Sequence, residues 1–167
     1  MKLNLGCGQV KKKGYLNVDI NRKSAADIVS SVVKMPFFDD CSVEEILCNH
    51  LLEHLSIAES EEALQEWFRI LKHGGKIIIE SPDLQALCKE FLNADKVNRW
   101  YSYKGTWHPL IKHFYGNQRT PGQFHKSGYT QERIKDLLTM TGFRQITFLE
   151  QTEYKYSPCF RVKAHKV

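Results

Sequence analysis

Residues 56–81, "SIAESEEALQEWFRILKHGGKIIIES", run one amphipathic helix straight into one strongly apolar strand. Ser56 and Glu59 have the spacing of a capping box. Leu64, Trp67, Phe68 and Leu71 recur on a single helical face, and Gly74–Gly75 are expected to stop the helix. "KIIIES" (76–81) is then a nearly unbroken apolar run, as a strand buried on both faces requires. A sheet covered on both sides by helices restricts the chain to α/β architectures.

The rest of the chain alternates in the same way. Residues 3–6, 15–20, 26–33 and 44–49 read as strands ahead of that helix, with Pro36 closing the third. Pro82–Asp83 opens a second helix through Leu84, Leu87, Cys88, Phe91 and Leu92. Thr130 caps a third helix carrying Ile134, Leu137 and Leu138, which Gly142 ends. Residues 143–150 and 158–166 are expected as two last strands joined through Ser157–Pro158. The expected fold is a doubly wound, mostly parallel, Rossmann-like sheet with an antiparallel C-terminal strand, formed by one domain over 1–167. Six residues between Gly8 and Tyr15 are short for a parallel crossover, so the first helix shrinks to about a turn or the second strand starts later.

In such a sheet, ligands sit at the carboxyl ends of strands where strand order reverses. Gly6 and Gly8 in "KLNLGCGQV" fall there, and lacking Cβ atoms they allow a sharp turn and close approach. Asp19 closes the next strand, where a carboxylate can accept from vicinal hydroxyls such as those of a ribose. A dinucleotide fingerprint needs a third glycine and a more distant acid. "GCGQVK" has no third glycine, and Asp19 follows Gly8 by eleven positions. A GxxxxGK[ST] phosphate loop is also absent.

The pieces "LNLGCG", "NVDI", "MPFFDD", "LCNHLLEHL", "EWFRILKHGGKIIIESPDL" and "YTQERIKDLLTMTGF" stand in that order. Together they resemble the class I S-adenosylmethionine-dependent methyltransferases, in particular the short, methyltransferase-11-like type. The resemblance implies an enzyme that uses S-adenosyl-L-methionine and releases S-adenosyl-L-homocysteine. It implies Gly6, Cys7 and Gly8 near the aminocarboxypropyl chain, and Asp19 on the ribose with Ile20 beside it. Ser31 and Val32 would flank the adenine with Met35 packing nearby, and Asn49 and His50 would lie near the methionine end. Ser31 stands where relatives often carry Asp.

Methyl transfer is an in-line displacement, and much of its rate can come from holding acceptor and methyl group together, shielded from water. A base is needed only where the acceptor must lose a proton, and His50 and His125 are the candidates. "HLLEH" places His50 and His54 four apart, but without the HExxH order or a third ligand at clear spacing, so no metal is expected. His54 with Glu53 is expected to anchor the turn after the fourth strand.

The net charge of +5 is concentrated in one stretch. From Lys96 to Gln131 there is no Asp or Glu, but six Lys or Arg and three His; subtracting six from five leaves the rest at −1. Such a segment attracts anions. Residues 94–128, basic and aromatic, are expected either to cover the active site and touch the acceptor or to bury their rings as an extra layer. The leading expectation is a methyltransferase for a small acceptor, with anionic and sugar-containing molecules as the first classes. The alternatives are an RNA methyltransferase gripping phosphates and stacking bases, or a non-catalytic cofactor-binding protein; a dehydrogenase ranks last. Five cysteines without a CxxC pair read as reduced thiols. No apolar run approaches ~20 residues, and "MKLNLG" has no secretion leader, so a cytoplasmic monomer or homodimer without membrane contact is expected.

Overall fold

The computed structural model describes residues 1–93, 109–150 and 158–167. Among them, seven strands form one sheet: β1 (Lys2–Leu5), β2 (Leu16–Asp19), β3 (Ile28–Val29), β4 (Val43–Asn49), β5 (Leu71–Pro82), β6 (Arg144–Leu149) and β7 (Cys159–His165). Their order is β3-β2-β1-β4-β5-β7-β6. The first five run parallel, and β7 lies antiparallel between β5 and β6. The mostly parallel sheet with antiparallel C-terminal strands is therefore as expected. Leu3 sits beside Ile46 and Ile46 beside Ile77, all fully buried, so one apolar row crosses the centre.

The helices are α1 (Ile57–Ile70), α2 (Leu84–Asn93), α3 (Pro109–Tyr115) and α4 (Gln131–Thr141). The capping box of α1 forms: Glu59 N–H donates to Ser56 Oγ at 3.2 Å, and Ser56 N–H donates to the Glu59 carboxylate at 2.7 Å. Its buried face includes Ala63, Leu64, Trp67 and Ile70. Trp67 Nε1–H donates to Val32 O at 2.9 Å, tying the segment after β3 to the helix. Thr130 Oγ1 accepts from Arg133 N–H at 3.1 Å to start α4, and Gly142, at φ +115°, ends it.

Gly74–Gly75 do not stop α1. The helix ends at Ile70, and Leu71 is already extended and paired with Val43. Pairing resumes at Glu45–Lys76, so residues 72–75 bulge out of the ladder. Gly74 turns there at φ +77° and donates to Lys166 O at 2.7 Å. Strand pairing claims the chain before a helical cap can form.

No helix separates β1, β2, β3 and β4 from one another. A polar network stands where the first helix would lie. Asn4 Nδ2 and Lys12 N–H both donate to Asn17 Oδ1 at 2.9 Å, and Asn17 Nδ2 donates to Asp27 Oδ2 at 2.8 Å. Asn4 and Asn17 are buried, and leaving such groups unpaired would cost about 1–3 kcal/mol each. β3 covers only Ile28–Val29 of the expected 26–33, because the chain from Ser30 to Met35 leaves the sheet to pack on α1. The turn expected at Ser157 lies outside the described residues. Cys7, Cys41, Cys48 and Cys88 are free thiols. No helix among the described residues is long and apolar enough to cross a membrane.

Candidate functional site

Strand order reverses between β1 and β4, and a cavity of about 540 Å³ opens at the carboxyl ends of these strands. β1 delivers the chain to Gly6 and Gly8, both in the left-handed region at φ +66° and +54°. A Cβ on Gly6 would lie 2.9 Å from Leu51 Cβ, whereas one on Gly8 would meet nothing within 4 Å. Gly6 is thus required by packing, while Gly8 leaves open space beside the turn.

Asp19 ends β2 and faces the same cavity. Its Oδ2 accepts from Gly8 N–H and its Oδ1 from Asn21 N–H, each at 2.8 Å. These two bonds hold the carboxylate against the glycine turn and still leave each oxygen a lone pair. Ser31, Val32 and Val33 form another wall, with Ser31 Oγ accepting from Val33 N–H at 3.2 Å.

The far wall comes from the turn after β4. His50 adopts φ +50°, and its N–H donates to Glu80 O at 2.8 Å. Its Nδ1 is 3.4 Å from Glu53 Oε1, and its Nε2 is 3.5 Å from Glu80 Oε1. Both carboxylates are buried; Arg161 Nη1 donates to Glu80 Oε2 at 3.2 Å and Ser81 Oγ to Glu53 Oε2 at 2.9 Å. Burial works against the imidazolium, but the Glu53 and Glu80 carboxylates outweigh it and raise the His50 pKa to about 9. His50 is therefore a cation at neutral pH, a state that cannot accept a proton. This runs against the expectation that it serves as a base.

A second cavity, of about 200 Å³, adjoins the first and shares Lys126 with it. Leu84, Leu87, Phe114 and Tyr115 give it apolar walls, and Glu53, His113 and His125 give it polar ones. Burial pushes both histidines below the usual imidazole range. Lys126 Nζ is 3.2 Å from Glu59 Oε2, so the ammonium at the junction is paired.

Of the residues expected at a cofactor, Gly6, Gly8, Asp19, Ile20, Ser31, Val32 and His50 line the larger cavity. Cys7, Met35 and Asn49 do not. Cys7 turns inward, with Sγ 3.7 Å from Gly8 O, and Met35 is fully buried in the core. His125 lies on the smaller cavity, so the two candidate bases are on different walls. Sequence reasoning placed Leu51, Glu59, Gln123 and Lys126 at no cofactor, yet they complete the larger cavity. The GxG turn is a local signal, but nothing in residues 120–126 announces that they fold back over it.

The family model described as a methyltransferase domain matches residues 3–79. A SAM-dependent methyltransferase from Archaeoglobus fulgidus is similar in structure at TM-score 0.64 and 17% identity, with 99% of this chain and 85% of that one covered. One from Methanosarcina mazei gives 0.64 and 19%, covering 99% and 92%. A Burkholderia thailandensis 1,6-didemethyltoxoflavin-N1-methyltransferase, crystallised with its acceptor and S-adenosylhomocysteine, gives 0.65 and 15%, covering 99% and 70%. No curated protein sequence matches significantly. At these identities the solved structures speak for the fold, while the family model speaks for the glycine turn, the acid after β2 and the β4–α1–β5 unit. Residues 3–79 thus match the methyltransferase-domain family, and the fold over the whole chain is the one seen in S-adenosylmethionine-dependent methyltransferases.

Proposed function

We propose that the chain methylates a small, partly apolar acceptor seated in the smaller cavity beside the cofactor. The observation that carries this reading is the adjacency of the two cavities through Lys126. About 200 Å³ lies below the usual ~300–1,000 Å³ of ligand pockets, which favours a small molecule, or one protruding group, over a stacked polynucleotide. Its walls are apolar on the α2 and α3 side and polar at Glu53, His113 and His125. Its one described ammonium is already paired with Glu59, which weighs against an acceptor recognised mainly by negative charge. Residues 109–128 supply much of this lining, in keeping with a substrate-covering role for the 94–128 segment, of which 94–108 lie outside the described residues.

For the cofactor, the fit rests on a turn whose Gly6 admits no Cβ and on a carboxylate oriented by two backbone N–H groups. Asp19 would accept the ribose hydroxyls, and Ser31 and Val32 would flank the adenine. Gly6 and Gly8 would run beside the aminocarboxypropyl chain, and the His50 cation would meet its carboxylate. When bound, S-adenosylmethionine supplies an electrophilic methyl group. The protein's task is to fix the partners in line and exclude water, for which Leu51, Leu55 and Val33 give apolar walls.

Two measurements test the reading. By calorimetry, Asp19→Ala should weaken binding of S-adenosylhomocysteine by about 1.5–3 kcal/mol, the scale of hydrogen bonds to charged groups; an unchanged dissociation constant removes Asp19 from the site. In a labelled-methyl assay with fractionated metabolites and RNA, label should enter small molecules. Label in RNA alone would replace the small-acceptor reading.

A further inference from the structure

Glu53, His54 and His125 converge where the two cavities meet. His54 lines the larger cavity; Glu53 and His125 line the smaller. One ligand-type atom from each lies within 4.8 Å of the other two. We propose that these three side chains form a binding site for one divalent transition-metal cation of the zinc type, open on its remaining side to the acceptor.

Each of the two imidazoles is held through one ring nitrogen by a backbone carbonyl. His54 Nδ1 lies 3.1 Å from Phe124 O, and His125 Nδ1 lies 2.8 Å from His113 O. A carbonyl oxygen only accepts, so each Nδ1 carries the proton and each Nε2 keeps its lone pair, the tautomer being assigned from the partner. An imidazole whose other nitrogen donates to a carbonyl is the usual outer arrangement around a ligated metal, and it fixes ring direction before the ion arrives. The rings meet edge to face at 80°, centroids 4.8 Å apart. Glu53 is fixed in the same manner, with one carboxylate oxygen receiving Ser81 Oγ–H and the other near His50.

Backbone bonds hold the two chain segments in register. Lys126 N–H and Ser127 N–H both donate to Glu53 O, at 2.8 and 3.2 Å, and Ser127 Oγ donates to Leu55 O at 2.8 Å. His125 therefore cannot drift from the 53–54 pair without breaking several bonds. Around a tetrahedral ion with bonds of ~2.0–2.1 Å, neighbouring ligand atoms stand about 3.4 Å apart, so the three side chains would draw together on the ion. The spacing "HLLEH" gave no metal site because it pairs His54 with His50; the fold pairs it instead with His125, 71 residues on.

Two histidines and one carboxylate leave a coordination position for water or substrate, as catalytic rather than structural zinc sites do. If the small-acceptor reading holds, the acceptor class is one with a coordinating hydroxyl. A metal lowers the pKa of a bound hydroxyl and would ready it as nucleophile.

The test uses the full chain without an affinity tag, stripped by a chelator and dialysed. Cobalt(II) titration should produce the visible absorption of a four- or five-coordinate ion, saturating at one equivalent and displaced by zinc. His54→Ala and His125→Ala should each weaken zinc binding at least about 100-fold, beyond the ~10–100-fold cost of losing an outer partner. His73→Ala, at an exposed histidine away from the cluster, should leave it unchanged. No absorption change with wild-type protein overturns the site, and so does binding that survives in the His54→Ala/His125→Ala double variant. The titration needs neither cofactor nor acceptor, so its failure would leave the methyl-transfer reading standing, and failure of the label assay would leave the metal site standing.

Discussion

The two sides of the larger cavity are built by different physics. On the β1–β2 side, a backbone turn and one carboxylate do the holding; the polar atoms around them are mostly neutral amides (Asn4, Asn17 and the N–H groups of Gly8 and Asn21), with the Asp27–Lys11 pair only at the exposed edge. On the β4–β5 side, formal charges are packed together out of water. Glu53 and Glu80 are buried, and His50 and Arg161 answer them. The first side can face solvent when empty at little cost. The second must keep its four charges balanced, because a buried carboxylate without its counter-ion is strongly destabilising. The lesson is that the β1–β2 side works by close backbone contact and the β4–β5 side by a rigid balance of buried charge.

Arg161→Met should break this comparison most severely. It removes the guanidinium that answers Glu80, and a cost of about 3–5 kcal/mol is expected from removing one partner of a buried pair. Chemical denaturation measures it; a loss under 1 kcal/mol would mean that the cluster is not rigidifying that wall.

Next in size is the glycine turn, where the two glycines should separate. Gly6→Ala combines left-handed strain of about 1–2 kcal/mol with overpacking of about 1–3 kcal/mol against Leu51. Gly8→Ala meets open space and should show only the strain. Equal effects in melting experiments would show that Leu51 yields and that the turn, not the packing, sets the requirement.

The smallest effect lies at the edge of the amide network. The Lys11 ammonium, together with Asn17, holds the Asp27 carboxyl well below the usual carboxylate range. Because the folded-state value is depressed, the associated stability is present above the unfolded value of ~3.9 and is lost as pH falls below it. The stability gap between wild type and Asp27→Asn should therefore be constant from pH 7 to 5 and shrink below about 4. A gap undiminished at pH 3 would assign it to the neutral hydrogen bonds instead.

How much of this could be read without the structure differs residue by residue. Ser56 with Glu59 and Thr130 with Gly142 marked helix ends correctly, because a cap is satisfied within a few residues of itself. Gly74–Gly75 misled, because the end of α1 is decided by pairing of Leu71 with Val43, a contact across 28 positions. Cys7, Met35 and Asn49 lie within two residues of cavity-lining positions in sequence, yet they are not on its wall, Cys7 and Met35 being buried in the core. His50 was legible as a neighbour of the cavity but not as a cation, since its charge depends on two carboxylates together, Glu53 in the same turn and Glu80 thirty residues away on β5.

The sequence by itself determined the alternation of strands and helices, the glycine turn and the acid that closes β2, since each is set by contacts within about fifteen residues. Only the tertiary structure decided that α3 packs on α2, that the 120–126 turn folds back onto the turn after β4, that Lys126 joins two cavities, and that Glu53, His54 and His125 meet. The reason is that these meetings are fixed by backbone bonds between distant segments, such as Lys126 N–H to Glu53 O, and no local periodicity or propensity encodes such a bond.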